Sequence, residues 1–207
     1  MTVRLLCLDA DGTVFNTMPL LERLAVRLLR TYGISDSEAR QLYVGTSGLP
    51  FRAQLELMFP ENARNWRVAY VFEKSKPTVV LRERTVFDDA AQLLERCRTV
   101  LGVRVALVSS TREGVLEAMI SRNGLRDEIF VSRGIECGDK AEQIVQVSDR
   151  CLSKEVLFVG DSPYDAMFAT RAGVPFVGLA RDGRLVTQFQ THTSNLIFNL
   201  LQLERFM

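Results

Sequence analysis

Val3-Arg4-Leu5-Leu6-Cys7-Leu8-Asp9-Ala10-Asp11-Gly12-Thr13 is a short apolar run that stops abruptly in two acids and a turn. Such a run reads as a strand buried on both faces, with its acids at the C-terminal end. Outward from it the character changes twice. From about Met18 to Lys76 apolar residues recur at helical spacing, as in Leu20, Leu21, Leu24 and Leu28, and again over 37–44, 51–59 and 62–72. A turn-rich loop, Gly45-Thr46-Ser47-Gly48-Leu49-Pro50, interrupts these helices.

After Pro77 helices and strands alternate. A helix over 88–101 leads through Gly102 to a strand over 103–108. Ser109-Ser110-Thr111 then caps a helix that stops near Asn123-Gly124. A strand near 129–132, a helix over 140–151, a strand over 155–159 ending in Gly160-Asp161-Ser162-Pro163, a helix closing at Ala172-Gly173 and a strand over 175–179 follow. This alternation predicts an α/β fold with a doubly wound parallel sheet. The expected organisation is a core of residues 1–16 and 83–207, interrupted by a helical insertion over 17–82.

Composition bounds the function. Lysine plus arginine number 26 against 25 aspartates and glutamates, so no long-range field gathers nucleic acid or an anionic membrane. A small-molecule partner fits better, with the chain expected to be a monomer or homodimer. No run approaches the roughly 18 apolar residues of a membrane span, and the few apolar residues before Asp9 are too short for a signal-peptide core, so the expected compartment is the cytoplasm. Cys7, Cys97, Cys137 and Cys151 are scattered without a Cys-x-x-Cys pair and read as reduced thiols. The single histidine, His192, rules out a multi-histidine zinc site, and a Ser-His-Asp hydrolase would have to use that one residue, so acid–base chemistry is expected to fall to carboxylates.

The polar clusters fall at strand ends and helix starts, the positions that converge on one crevice in an open α/β sheet. Asp9 and Asp11, two apart in extended chain, can project the same way roughly 6–7 Å apart. That spacing suits a nucleophile paired with a general acid/base. Asp161 and Asp165 form a second carboxylate pair suited to a hard cation, although Asp161 or Ser162 before Pro163 also reads as a helix N-cap. Ser109 and Lys140 carry little weight singly. Their order along the chain gives them meaning.

That order resembles the haloacid dehalogenase-like hydrolase superfamily. It runs from Asp9-Ala10-Asp11-Gly12-Thr13-Val14, through Val105-Ala106-Leu107-Val108-Ser109 and Lys140, to Val159-Gly160-Asp161-Ser162-Pro163-Tyr164-Asp165. Within the superfamily it is similar to the phosphoglycolate phosphatase and β-phosphoglucomutase branch, whose helical cap sits where the insertion lies. The resemblance implies that Asp9 is the nucleophile and Asp11 the general acid/base. Ser109, with Ser110 beside it, would bind phosphate, and Lys140 would balance charge. Magnesium would be held by Asp9, the carbonyl of Asp11, Asp161 and Asp165. The third motif lacks the proline that often follows its lysine, and Asn16-Thr17 stands where many relatives carry Asp-Ser.

The implied activity is a magnesium-dependent phosphatase acting on a small phosphorylated metabolite through an aspartyl phosphate. A phosphomutase of the same branch shares every core residue, and a binding-only relative is a further alternative. A signalling receiver domain is disfavoured by the insertion and by the early position of the acids. In the insertion, Thr46, Ser47 and Arg52 are the candidates for selecting substrate, with Arg52 also reading as an ordinary surface arginine.

Overall fold

The computed structural model describes residues 3–148, 151–181, 186–189, 192–193 and 195–207. The chain divides into two compact units, one of Met1–Asn16 with Thr85–Met207 and one of Thr17–Arg84.

The first unit is built on a six-stranded, all-parallel sheet with helices on both sides. Its strands are β1 (Leu5–Asp9), β2 (Arg104–Val108), β3 (Val131–Arg133), β4 (Val156–Gly160), β5 (Phe176–Leu179) and β6 (Leu196–Ile197), in the order β3-β2-β1-β4-β5-β6. All five residues of β1 are buried, as are all five of β4, because a parallel sheet covered on both sides exposes neither face. Leu5, Cys7, Ala106, Val108, Val156 and Phe158 pack on one face with Ile144 and Ala169, which come from two helices of this unit. Phe158 is fully buried there, and truncating it to alanine would cost about 3–5 kcal/mol.

Strand order reverses beside β1, between β2 on one side and β4 on the other, which is the switch point where such sheets leave a crevice. Asp9 lies opposite Val108, and Leu8 lies opposite Val159. The register therefore brings the C-terminal ends of β1, β2 and β4 to one edge.

The second unit is helical: α1 (Met18–Leu29), α2 (Asp36–Gly45), α3 (Phe51–Met58) and α4 (Asn65–Val80). Ser35 caps α2 by accepting from the Glu38 amide, and Phe51 stacks on Phe72 with ring centroids 4.0 Å apart. The helical pattern expected to end near Phe72 continues through Pro77 to Val80. Val68, Phe72, Lys76 and Val80 recur every four residues as one buried face across the proline, so burial outweighs its missing N–H.

Back in the first unit, α5 (Asp88–Arg96) gives way to a π-helical turn over Cys97–Leu101 instead of running on as α-helix. It is followed by α6 (Glu113–Arg122), α7 (Lys140–Val147) and α8 (Pro163–Ala172). The expected run of α7 to Cys151 stops at Val147, where Ser148 caps it, and residues 149–150 lie outside the described residues. The short strand β6 and the 3₁₀ segment Leu200–Phe206 had no clear periodic signal. Among the described residues no helix is long and apolar enough to cross a membrane. All four cysteines are free thiols, and burial pushes that of Cys7 up to about 12.

Candidate active site

Beyond β1 the chain turns sharply at Gly12, whose φ of 87° favours glycine. Its amide donates to the Phe15 carbonyl at 2.8 Å, while Val14 and Phe15 both donate to the Ala10 carbonyl. The turn holds Asp11 next to Asp9. Arg181, just past β5, braces it by donating to the Thr13 carbonyl at 2.9 Å and to Asp89 at 2.9 Å, with its guanidinium 3.8 Å from the Phe87 ring.

Lys140 opens α7, where Asp139 and Glu142 close a capping box. Its ammonium, almost wholly buried, donates to Asp9 Oδ1 and Asp165 Oδ1, each at 2.6 Å. Asp165 lies in the first turn of α8, and its other oxygen accepts from the Ser162 hydroxyl at 2.6 Å and the Ser162 amide at 3.1 Å. Ser162, not Asp161, is the N-cap, so capping and site construction share one carboxylate. Gly160 permits that approach: a Cβ there would meet the Asp165 carboxyl carbon at 2.5 Å.

One carboxylate oxygen from each of Asp9, Asp161 and Asp165 lies within 4.8 Å of the others. The charge balance is uneven, since three carboxylates face one ammonium. Burial pushes the Asp9 carboxyl up to about 7, against the pull of Lys140 and with a push from Asp165. Burial, then the charges of Asp9 and Asp165, push Asp161 well above the carboxylate range. Burial opposes charge on Lys140, yet Asp165 and Asp9 together hold its ammonium above the usual lysine value.

Ser109 follows β2 and is buried. Its amide donates to the Arg133 carbonyl at 3.1 Å and to Gln143 Oε1 at 2.8 Å, and its hydroxyl oxygen accepts from the Thr111 amide at 3.0 Å. The Thr111 hydroxyl donates to Asp11 Oδ2 at 2.6 Å. Gln143 is fully buried, and its Nε2 also reaches the carbonyls of Ser109, Gly134 and Gly138 at 3.1, 2.9 and 2.8 Å. One helix therefore carries both Lys140 and the amide that sets the Ser109 backbone.

Of the residues singled out in the sequence, Asp9, Asp11, Ser109, Lys140, Asp161 and Asp165 all stand in the α/β unit around this crevice. Ser110 lies between Ser109 and Thr111 in the same loop. Thr46, Ser47 and Arg52 belong to the helical unit. There the Thr46 hydroxyl donates to the Leu42 carbonyl at 2.8 Å and meets Gln54 Oε1 at 3.1 Å, while Arg52 is exposed. Thr111, Gln143 and Arg181 were not anticipated. Gln143 had a signal, because three residues after Lys140 on a helix is the same face. Thr111 was read only as part of a helix cap, a position that falls instead to Arg112 at the start of α6, and Arg181 had no signal beyond its place after a strand.

The family model of the haloacid dehalogenase-like hydrolases matches residues 6–179, and the chain belongs to that family. Its fold is similar to a solved structure from Bacteroides fragilis, provisionally described as a haloacid dehalogenase-like hydrolase (TM-score 0.85, 20% identity, covering 98% of this chain and 100% of that one). It is also similar to a provisional phosphoglycolate phosphatase from Lactobacillus plantarum (TM-score 0.81, 19% identity, covering 100% of each chain). A third is the provisional HAD-hydrolase YfnB from Bacillus subtilis, described as bound to magnesium (TM-score 0.71, 15% identity, covering 100% of this chain and 99% of that one). No curated protein matches the sequence.

Proposed function

We propose that the chain is a magnesium-dependent phosphatase that hydrolyses a small phosphate monoester through an aspartyl phosphate on Asp9. The observation that carries this reading is the buried triad in which Lys140 bridges Asp9 and Asp165 while Asp161 lies within the same cluster. The donors are all hard oxygens, and their surplus negative charge is of the size a divalent cation neutralises, so the residues fit magnesium. Asp9, Asp161 and Asp165 would hold the ion, together with the carbonyl of Asp11. When bound, it supplies charge neutralisation between the nucleophile and the phosphate oxygens.

The protein's own groups account for the rest. Asp9 attacks phosphorus, the bond from phosphorus to the leaving oxygen breaks, and Asp11 gives its proton to that oxygen. Asp11, now a carboxylate, takes a proton from water. The water oxygen attacks the same phosphorus, its bond to Asp9 breaks, and inorganic phosphate leaves. Lys140 keeps Asp9 oriented and offsets the charge that accumulates. The Ser109 hydroxyl oxygen accepts from the Thr111 amide, which leaves its own hydrogen to donate to a phosphate oxygen. The helical unit would act as a substrate-selecting cap. A cytoplasmic setting and a small phosphorylated metabolite as partner belong to the same reading.

The test is turnover of a panel of phosphate monoesters with magnesium, for the wild type and Asp9→Asn. The amide is nearly isosteric but a poor nucleophile, so the expected loss is about a thousandfold or more with the fold retained. More than about a tenth of wild-type kcat, an effect under ~1.4 kcal/mol, would overturn the assignment.

A further inference from the structure

We infer that the groove between α1 and α4 is a docking surface for a partner protein, which lays an acidic amphipathic helix into it. Docking involves the helical unit alone and is measured without turnover, so it stands or falls apart from the phosphatase assignment.

α1 and α4 pack against each other and leave a groove of about 750 Å³ along their shared edge. Its floor is apolar, with Leu20 and Leu24 from α1 and Val71 and Val79 from α4. These residues recur at helical spacing, so each helix offers one continuous face to the groove. Tyr70 and Val71 are 56% and 39% exposed, and Trp66, one turn before Tyr70, is 63% exposed. Large apolar side chains open to water on consecutive turns of one helix mark an interaction surface.

Charge fixes the sign of the partner. Arg23 and Arg27 line the α1 wall, Lys74 and Arg82 line the α4 wall, and no aspartate or glutamate lines the groove. Among the described residues the guanidinium groups of Arg23 and Arg27 have no ion-pair or hydrogen-bond partner. The Lys74 ammonium lies over the Tyr70 ring, 5.6 Å from its centroid. The nearest acid in α1, Glu22, is held by Arg40 at 2.5 Å, and Glu73, the one acid of α4, does not line the groove. In a chain whose formal net charge is +1, four cations around one groove are a local excess.

The geometry selects a helix as the occupant. A two-fold contact with a second copy would set these cations against themselves. A polynucleotide would use the cations and leave the apolar floor unused, while a small free anion needs cations that converge on one point. From Tyr70 to Arg82 α4 rises about 18 Å at ~1.5 Å per residue, the length of roughly three helical turns. A helix of that length, with an apolar stripe flanked by acids, meets the floor and both walls together.

The probe is a fluorescent peptide of about 15 residues with leucines at i, i+3, i+4 and i+7 and glutamates beside them, titrated with the intact protein by anisotropy. A scrambled peptide of the same composition is the control. The patterned peptide should bind with a Kd of about 10–100 μM, at least about tenfold tighter than the scrambled one. Arg27→Glu should weaken it about tenfold, whereas Arg67→Glu, an equal charge change outside the groove, should stay within about twofold. Tyr70→Ser combined with Val71→Ser should also cost about tenfold, with the melting temperature held within a few degrees because both side chains are exposed.

No binding of the patterned peptide, equal binding of the scrambled one, or equal losses in Arg27→Glu and Arg67→Glu would overturn the inference. So would a single-stranded oligonucleotide that binds more tightly than the peptide and is lost in Arg27→Glu, which would assign the groove to nucleic acid. A dimer in sedimentation that dissociates when Tyr70 and Val71 are changed would assign it to a second copy and overturn the inference equally.

Discussion

The two units of the chain place their polar side chains in opposite ways. In the α/β unit, Asp9, Ser109, Thr111, Lys140, Gln143 and Asp165 are buried and bonded to one another or to the loops that carry them. In the helical unit two buried amides tie together the helices that carry them: Gln54 donates to the Leu49 carbonyl at 2.8 Å, and Asn65 donates to the Phe59 carbonyl at 2.8 Å while its Oδ1 accepts from the Tyr32 hydroxyl at 2.8 Å. A polar group buried on a partner from a distant part of the chain holds a site at fixed geometry, because an unmade bond there is costly. A polar group bonded to backbone a few residues away shapes that stretch of chain, and under the proposed function recognition would fall to exposed neighbours such as Arg52. Chemistry and selection are therefore expected to respond to mutation separately.

The sharpest way to break this contrast is at the proposed cation site. Asp161→Ala removes one hard oxygen donor from the cluster, so the magnesium needed for half-maximal activity should rise at least tenfold, with kcat reduced as well. Titrating activity against magnesium in the two proteins checks it. An unchanged dependence would place the ion elsewhere and remove the reason for so many buried carboxylates.

The same cluster predicts a pH dependence with a definite sign. Asp9 has its folded carboxyl raised to about 7, and Asp161 is raised too, so each binds its proton more tightly folded than unfolded. Their contribution to stability is fully present below the unfolded carboxylate range near 4 and is lost as pH rises through about 7. Without divalent cations the melting temperature should fall between about pH 5 and 8, and magnesium should restore it most at the upper end. Thermal melts with chelator and with magnesium read this directly. A metal-free protein as stable at pH 8 as at pH 5 would show that Lys140 balances the cluster unaided.

How much of this was legible in the sequence follows from what sets each position. Asp9 and Asp161 sit at the ends of apolar runs, and a parallel strand's end is where an open sheet gathers ligands, so pattern alone located them. Lys140 and Ser109 needed the order of motifs, since one lysine at a helix start carries no signal of being buried 2.6 Å from two carboxylates. The double role of Asp165 was only half visible: Ser162-Pro163 announced a cap, but the Lys140 contact depends on α7 packing beside α8. Gln143, Thr111 and Arg181 escaped because tertiary packing chooses their partners. Pro77 misled for the opposite reason, because a local breaker yielded to a buried face spanning it.

The smallest expected effects lie in the helical unit, and they test the other side of the comparison. Thr46 bonds its own helix end and Gln54, so Thr46→Val should cost about 1 kcal/mol of stability while changing the relative use of substrates little. Arg52 is exposed on α3, so Arg52→Ala should leave stability within about 0.5 kcal/mol. If the unit selects substrate, Arg52→Ala should lower kcat/KM for its preferred natural monoester by a few fold, because a guanidinium that orients a substrate's carboxylate or hydroxyls contributes about 1–2 kcal/mol. Hydrolysis of p-nitrophenyl phosphate, which offers neither group, should change less. The measurement is kcat/KM on both substrates in each variant beside a thermal melt. A selective loss in Arg52→Ala with an unchanged melt would assign recognition to the exposed face. A selective loss in Thr46→Val would instead mean that the shape of the 45–50 loop does the selecting, and the division between fold-holding and substrate-reading side chains in this unit would fail.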